Sequence, residues 1–482
     1  MLKRITLCCV LIASPAATTA QTPEQQMMAA ATQVSQPRLK ADVKRMVDFG
    51  TRHTLSSQTD PRRGIGAAVR WAEAELGKNG LQTMQVCETL EGRRLNGPTR
   101  ICNAVAIQRG TERPNDVVII TGHIDSRGTD VMDFTKDAPG ANDDASGTAA
   151  VLEAARVLGK RKFPGTIVYA ALSGEEQGLY GGRIMASYAK AQGWNVVANL
   201  NNDIIGNSCG SDRVCDGKTV RVFSEGPRWQ GREALAAQQR SLGGENDSPS
   251  RNLSRFLDRL AERLPAIGLD VRPIWRNDRF GRGGDHTEFL NAGYPAIRFS
   301  VAVEDYDHQH QDLRTENGVK FGDTIEEMDF AYLARVTRLN VAALMALAKA
   351  LPPPEPSVEG AVMPDTKVQW LPQAAAAGYV VRWRRTDDNQ WTQASRAHRD
   401  ELVVTERPAG SPADPNRSIN PATPARLDDG IRKSAILKGI RVDDWVFGVA
   451  SVSREGWESP VASAVPGGAF KPYVVPPPTP AR

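Results

Sequence analysis

Val117-Val118-Ile119-Ile120-Thr121-Gly122-His123-Ile124-Asp125 sets the architecture: four apolar residues in a row, a glycine two residues on, then a histidine and an acid. A strand buried on both faces shows such an unbroken apolar run, because each face takes alternate side chains. Residues 145–158 have helical spacing, with Val151, Leu152, Ala155 and Leu158 on one side. Residues 166–172 read as the next strand, the segment from Leu179 as the next helix, and 196–205 as another strand. Helices are also expected over 41–53, 65–76, 251–263 and 329–351, and a strand over 296–301. Strand and helix alternate at lengths suited to crossover connections. The expected class is α/β, a mixed, largely parallel central sheet flanked by helices.

The chain has 482 residues, enough for more than one folding unit, and its 40% hydrophobic content excludes wholesale disorder. The α/β pattern occupies 21–351 and stops at Pro352-Pro353-Pro354-Glu355-Pro356. A run of this kind cannot continue a helix, so 352–357 is expected to be a stiff linker. Beyond it, over 358–468, the texture changes to short strands at 367–370, 379–384, 401–404 and 444–453. Trp370, Trp383, Trp391 and Trp445 suit the core of a small all-β sandwich there. The tail, 469–482, is Pro-rich, and no ionisable cluster in this C-terminal part suggests chemistry.

The first 20 residues read as an export signal: Lys3 and Arg4, an apolar stretch to Ala13, then a small-residue exit before Gln21. The apolar stretch is too short to span a membrane, so a secreted or periplasmic protein without a membrane span is expected. Removing the signal takes the net charge from +4 to +2. No Lys/Arg-rich run is present, which argues against a nucleic-acid partner. Cys8 and Cys9 leave with the signal. Of the three ways to pair the other four cysteines, the simplest joins Cys87 to Cys102 and Cys209 to Cys215, as loop staples.

In open α/β sheets, function gathers at the carboxyl ends of the strands. Here one strand runs into His123-Ile-Asp125, the next into Glu175-Glu176, and a third into Asp203. Asn142-Asp143-Asp144 lies just before a helix, and Asp285-His286 and His308-Gln-His310 come later. Any one of these acids alone is more often a helix cap than a ligand. Together they place acids and histidines where one cleft would form, a set suited to two zinc ions sharing one carboxylate.

These residues resemble the secreted di-zinc aminopeptidases of the bacterial leucyl aminopeptidase type, whose relatives include glutamate carboxypeptidase II and glutaminyl cyclase. The resemblance rests on His123-x-Asp125, Pro-Gly-Ala-Asn-Asp143-Asp144-Ala-Ser-Gly, Glu175-Glu176-x-Gly, Asp203 and a late His near Tyr306. Phe49-Gly-Thr-Arg-His53 also looks like that family's opening, and the likeness covers roughly 40–351. It implies a zinc exopeptidase fold, with His123, Asp143 and Asp203 on one ion and Asp143, Glu176 and a late His on the other. For that His, the offset to Thr315 favours His310, with His308 as the alternative. Asp125 would orient His123, Asp144 would neighbour the bridging residue across a strained peptide bond, and His286 would support the site. Glu175 would be the general base for hydrolysing the N-terminal bond of peptides with a free amino terminus. Alternatives on the same fold are a carboxypeptidase, a one-zinc glutaminyl cyclase, or a non-catalytic binding ectodomain. The C-terminal sandwich resembles a fibronectin type III module, a spacer or a surface for another protein.

Overall fold

The computed structural model describes residues 21–225, 233–397 and 432–471. The export signal expected over 1–20, the strand expected over 401–404 and all but the start of the 469–482 tail lie outside the described residues. The central sheet has eight strands: β1 (Gln82–Leu90), β2 (Thr99–Gln108), β3 (Arg113–His123), β4 (Gly165–Leu172), β5 (Asn195–Asn202), β6 (Thr219–Phe223), β7 (Asp270–Ile274) and β8 (Ala296–Val301). Their order is β1-β2-β4-β3-β5-β8-β6-β7. The block β4-β3-β5-β8 is parallel throughout, and β6 also pairs parallel with β7. The pairs β1–β2, β2–β4 and β6–β8 are antiparallel. This is the mixed, largely parallel sheet expected.

The described helices are α1 (Pro23–Ala31), α2 (Gln36–Val47), α3 (Ile65–Gly77), α4 (Ala145–Leu158), α5 (Glu175–Gly178), α6 (Tyr180–Ala191), α7 (Glu233–Leu242), α8 (Pro249–Arg263), α9 (His286–Asn291) and α10 (Phe330–Lys349). They cover both faces of the sheet. Val118 and Ile120 of β3 join one core with side chains of α2, α3, α4 and α10. Val117 and Ile119 join the other, with Met185 and Ala186 of α6 and Phe289 of α9. The apolar run therefore feeds two cores from one strand, as its pattern requires. Helix α10 is long and apolar enough to cross a membrane, yet 83% of its most apolar window is buried inside the protein.

The helix expected over 41–53 instead spans Gln36–Val47, with Ser35 capping it and Pro37 in its first turn. The chain leaves it through Gly50, whose φ of +73° favours glycine, so His53 lies in a loop. At the sheet's centre, a Cβ on Gly122 would fall 2.4 Å from the backbone of Gly147. Two glycines thus let the start of α4 rest directly on the end of β3, which brings Asp143 and Asp144 beside His123.

A short hairpin, β9 (Arg314–Glu316) and β10 (Val319–Phe321), precedes α10. After α10, two small antiparallel sheets follow. One has β11 (Pro356–Glu359), β12 (Thr366–Trp370) and β15 (Lys433–Leu437), and the other β14 (Gln393–Ala397), β13 (Ala376–Arg385), β16 (Trp445–Ser453) and β17 (Ala462–Ser463). They share a core of Val368, Trp370, Tyr379, Val381, Leu437, Phe447 and Val449. Trp383 and Trp445 pack against that core only partly buried, whereas Trp391 sits on the other face with Val380, Val446 and Val461.

The stretch 352–357 is not a free spacer. Pro353 and Pro354 are buried, and Pro356 already begins β11. Asp247, wholly buried just before α8, accepts from Arg384 Nη2 (2.6 Å) and from the Ser463 hydroxyl (2.7 Å). Arg255 of α8 donates to the Asn389 carbonyl. A buried charge pair that spans both units fixes their contact, since separating it would leave either charge uncompensated.

Candidate metal centre

The acids and histidines converge at the carboxyl ends of β3, β4 and β5. His123 closes β3. Its Nδ1 lies 3.1 Å from the Asp125 carbonyl oxygen and 3.6 Å from Asp125 Oδ1. A proton on Nδ1 then leaves Nε2 facing Asp143 Oδ1 (3.1 Å) and Asp203 Oδ1 (3.8 Å). The other oxygen of Asp143 faces a second group: Oδ2 is 2.8 Å from His310 Nε2, which is 2.9 Å from Glu176 Oε1. Asp143 thus offers one oxygen to each of two His-carboxylate sets, the arrangement of a shared ligand.

His308 points elsewhere. Its Nδ1 bonds Asp305 Oδ2 (2.6 Å) and its Nε2 faces Glu327 (3.6 Å), so of the two late histidines it is His310 that reaches Asp143. His286 is wholly buried and belongs to neither set; its Nε2 meets the Asn277 carbonyl (2.8 Å). Burial lowers its pKa to about 4, so the ring is neutral at physiological pH.

The neighbouring acids organise the backbone. Asp125 accepts from the N–H groups of Glu175 (3.3 Å) and Glu176 (3.1 Å) and from the Thr54 hydroxyl (3.2 Å). One buried carboxylate therefore ties His123 to the helical turn that carries both glutamates. Asp144 caps α4 through the Gly147 N–H and also accepts from the N–H groups of His123 and Ile204. It joins the ends of β3, α4 and β5. The Asp143–Asp144 peptide bond is cis. Glu175 has no hydrogen bond to its carboxylate among the described residues, and burial together with the charges of Glu176 and Asp203 pushes its pKa well above the usual range.

Four further residues carry the site, and of these only Arg52 lay within a stretch the sequence had marked. Arg298 in β8 is wholly buried and donates Nη2 to Asp203 Oδ1 (2.7 Å) and Nη1 to Asp278 Oδ2 (2.6 Å). Asp323 accepts from the N–H groups of Asn142 (2.8 Å) and Asp143 (2.7 Å), fixing the backbone that aims Asp143. Arg52 donates to the carbonyls of Ile124, Pro139 and Gly140, clamping the loop ahead of Asp143. Arg127 donates Nε to Glu176 Oε2 (2.9 Å), with Nη2 at 2.6 Å from His310 Nδ1.

The donor set fits divalent metal. Imidazole nitrogens and carboxylate oxygens are zinc's usual oxygen and nitrogen ligands. The enclosed acids also call for positive charge. Burial pulls the His310 pKa down, but Glu176 and Asp143 outweigh it and hold the ring at about 9. At His123 too, Asp125, Asp143 and Asp203 overcome burial and raise the pKa well above the ordinary value. With a cation on Nε2, His310 would keep its proton on Nδ1, and Arg127 would have to withdraw from that nitrogen.

A sequence profile of peptidase family M28 matches residues 103–318. A probable zinc metalloprotease of Leptosphaeria maculans is 46% identical over 456 residues, covering 92% of this chain and 98% of that protein. Another, of Pyrenophora tritici-repentis, is 40% identical over 460 residues, covering 93% and 88%. Matches of that extent take in the C-terminal sheets as well as the α/β part. Among solved structures, the LapA aminopeptidase of Legionella pneumophila shares the fold, with a TM-score of 0.50 and 18% identity over 72% of this chain and 78% of that one. The chain belongs to peptidase family M28.

Proposed function

We propose that the protein is an exported zinc aminopeptidase that removes the N-terminal residue of peptides. The observation that carries this reading is Asp143, whose two oxygens face separate His-carboxylate sets beside the unbonded carboxylate of Glu175. His123, Asp143 and Asp203 would hold one zinc, and Asp143, Glu176 and His310 the other. Two zinc ions, when bound, supply Lewis acidity to a water and to the scissile carbonyl. Glu175 takes the proton of the attacking water and later delivers it to the leaving amine, for which a carboxylate with a raised pKa is suited. Asp125 orients both His123 and the turn bearing Glu175, so base and ligand share one support.

Export is supported by the first 20 residues, and the disulfides Cys87–Cys102 and Cys209–Cys215 fit an oxidising compartment. We read the C-terminal sheets as a fibronectin type III-like unit held against the catalytic part. The test is hydrolysis of aminoacyl-p-nitroanilides against N-blocked peptides, with and without chelator. The reading requires cleavage of the free-amine substrates and its loss on chelation. Cleavage of blocked substrates alone would sink it.

A further inference from the structure

We propose that Arg282, beside Gln309 at the Asp143 edge of the metal centre, makes the enzyme select peptides whose N-terminal residue carries a carboxylate, aspartyl or glutamyl. The proposal rests on the aminopeptidase reading. Gln309 reaches between catalytic and recognition groups: its Nε2 donates to Asp143 Oδ2 (3.1 Å), and its Oε1 accepts from Arg282 Nη1 (3.3 Å). One amide group therefore separates the bridging carboxylate from a guanidinium.

That guanidinium is short of a partner. Glu304 is shared by Arg221 (2.6 Å), Arg279 (3.3 Å) and Arg282 (3.6 Å), and Arg282 has the longest of the three pairs. Asp278 is already taken by Arg298 (2.6 Å) and by Arg279 (3.1 Å). Four arginines thus share two acids, besides the ligand Asp203. The Arg282 side chain is 34% exposed, against 18% for Arg221, 9% for Arg279 and 0% for Arg298, so it is the most exposed cation of this network. A carboxylate arriving there gains a charge-assisted pair with a planar fork. A leucyl side chain would strip water from the same charge and return nothing.

The experiment uses the full, zinc-loaded chain and the p-nitroanilides of Glu, Asp, Leu and Lys, with zinc content measured for every variant. The wild type is expected to show a kcat/KM at least about tenfold higher for Glu than for Leu. Arg282→Ala should lower that ratio by about tenfold or more, mainly through KM for the acidic substrates, and Arg282→Glu should move the preference toward Lys. A wild type that favours Leu, or an Arg282→Ala variant with an unchanged Glu-to-Leu ratio and full zinc, overturns the inference alone. Zinc-loaded enzyme inert on all four substrates removes the aminopeptidase reading and this inference with it.

Discussion

The two halves of the metal centre are built differently. His123 and Asp203 stand at strand ends, their side chains 2% and 3% exposed, backed by Asp125 and the buried Arg298. His310 stands on a loop with φ of +55°, 19% exposed, backed by Arg127 rather than by an acceptor, and its partner Glu176 sits on a single helical turn. A parallel sheet fixes its strand ends through hydrogen bonds on both sides, whereas a loop holds a ligand only through its own few contacts. The half made by strands should bind metal tightly, and the half made by loop and turn should bind it less well.

The largest effect tests what both halves serve. Glu175→Gln is expected to lower kcat about 10²–10⁴-fold with both metals retained, measured by initial rates and metal analysis. Stepwise chelation tells the two halves apart. The first zinc lost should be the one that His310 would hold, so His310→Ala should keep about half the metal, while His123→Ala should disturb the tighter site. Equal loss at both sites in a chelator titration would contradict the asymmetry. Next comes the support shared by the halves: Asp125→Ala should weaken zinc affinity about 10–100-fold, read by competition with a metal indicator.

The smallest effect lies away from the site. Burial raises the pKa of Asp42 in α2 from 3.8 to about 6, only partly offset by Arg38. The folded state therefore holds this proton more tightly than the unfolded chain does. That stabilising contribution is complete below pH 3.8 and is lost as pH rises through 6. Asp42→Asn should leave Tm nearly unchanged at pH 4 and raise it at pH 8, by on the order of 2 kcal/mol in stability. A gain independent of pH would contradict the cause.

What could be read from the sequence follows from how locally each feature is encoded. Strand β3 and its His-x-Asp, the capped start of α4 and the paired glutamates after β4 each lie within a dozen residues, so pattern and motif coincide. Arg298 and Asp323 act on Asp203 and Asp143 from 95 and 180 residues away, and nothing near them announces that contact. Strands β1, β2, β6 and β7 escaped the reading. β1 is half-exposed along its length and β6 and β7 have only five residues each, so none of these three carries a long apolar run, whereas β2 does carry one in Ala104-Val105-Ala106-Ile107. The shift of the helix expected over 41–53 was avoidable, because Ser35 followed by Pro37 is a helix-start signal. The packing of 352–357 was not, since it depends on Gln373 and Ser451, far along the chain, donating to the Pro352 carbonyl.

In the proposed function, Asp143 joins two zinc sites into one aminopeptidase centre. Zinc content per chain of the purified, fully active enzyme, measured by plasma mass spectrometry beside its rate on a free-amine substrate, tests that most directly. Two zinc ions per chain are expected at full activity, and one ion per fully active chain would rule out a shared Asp143.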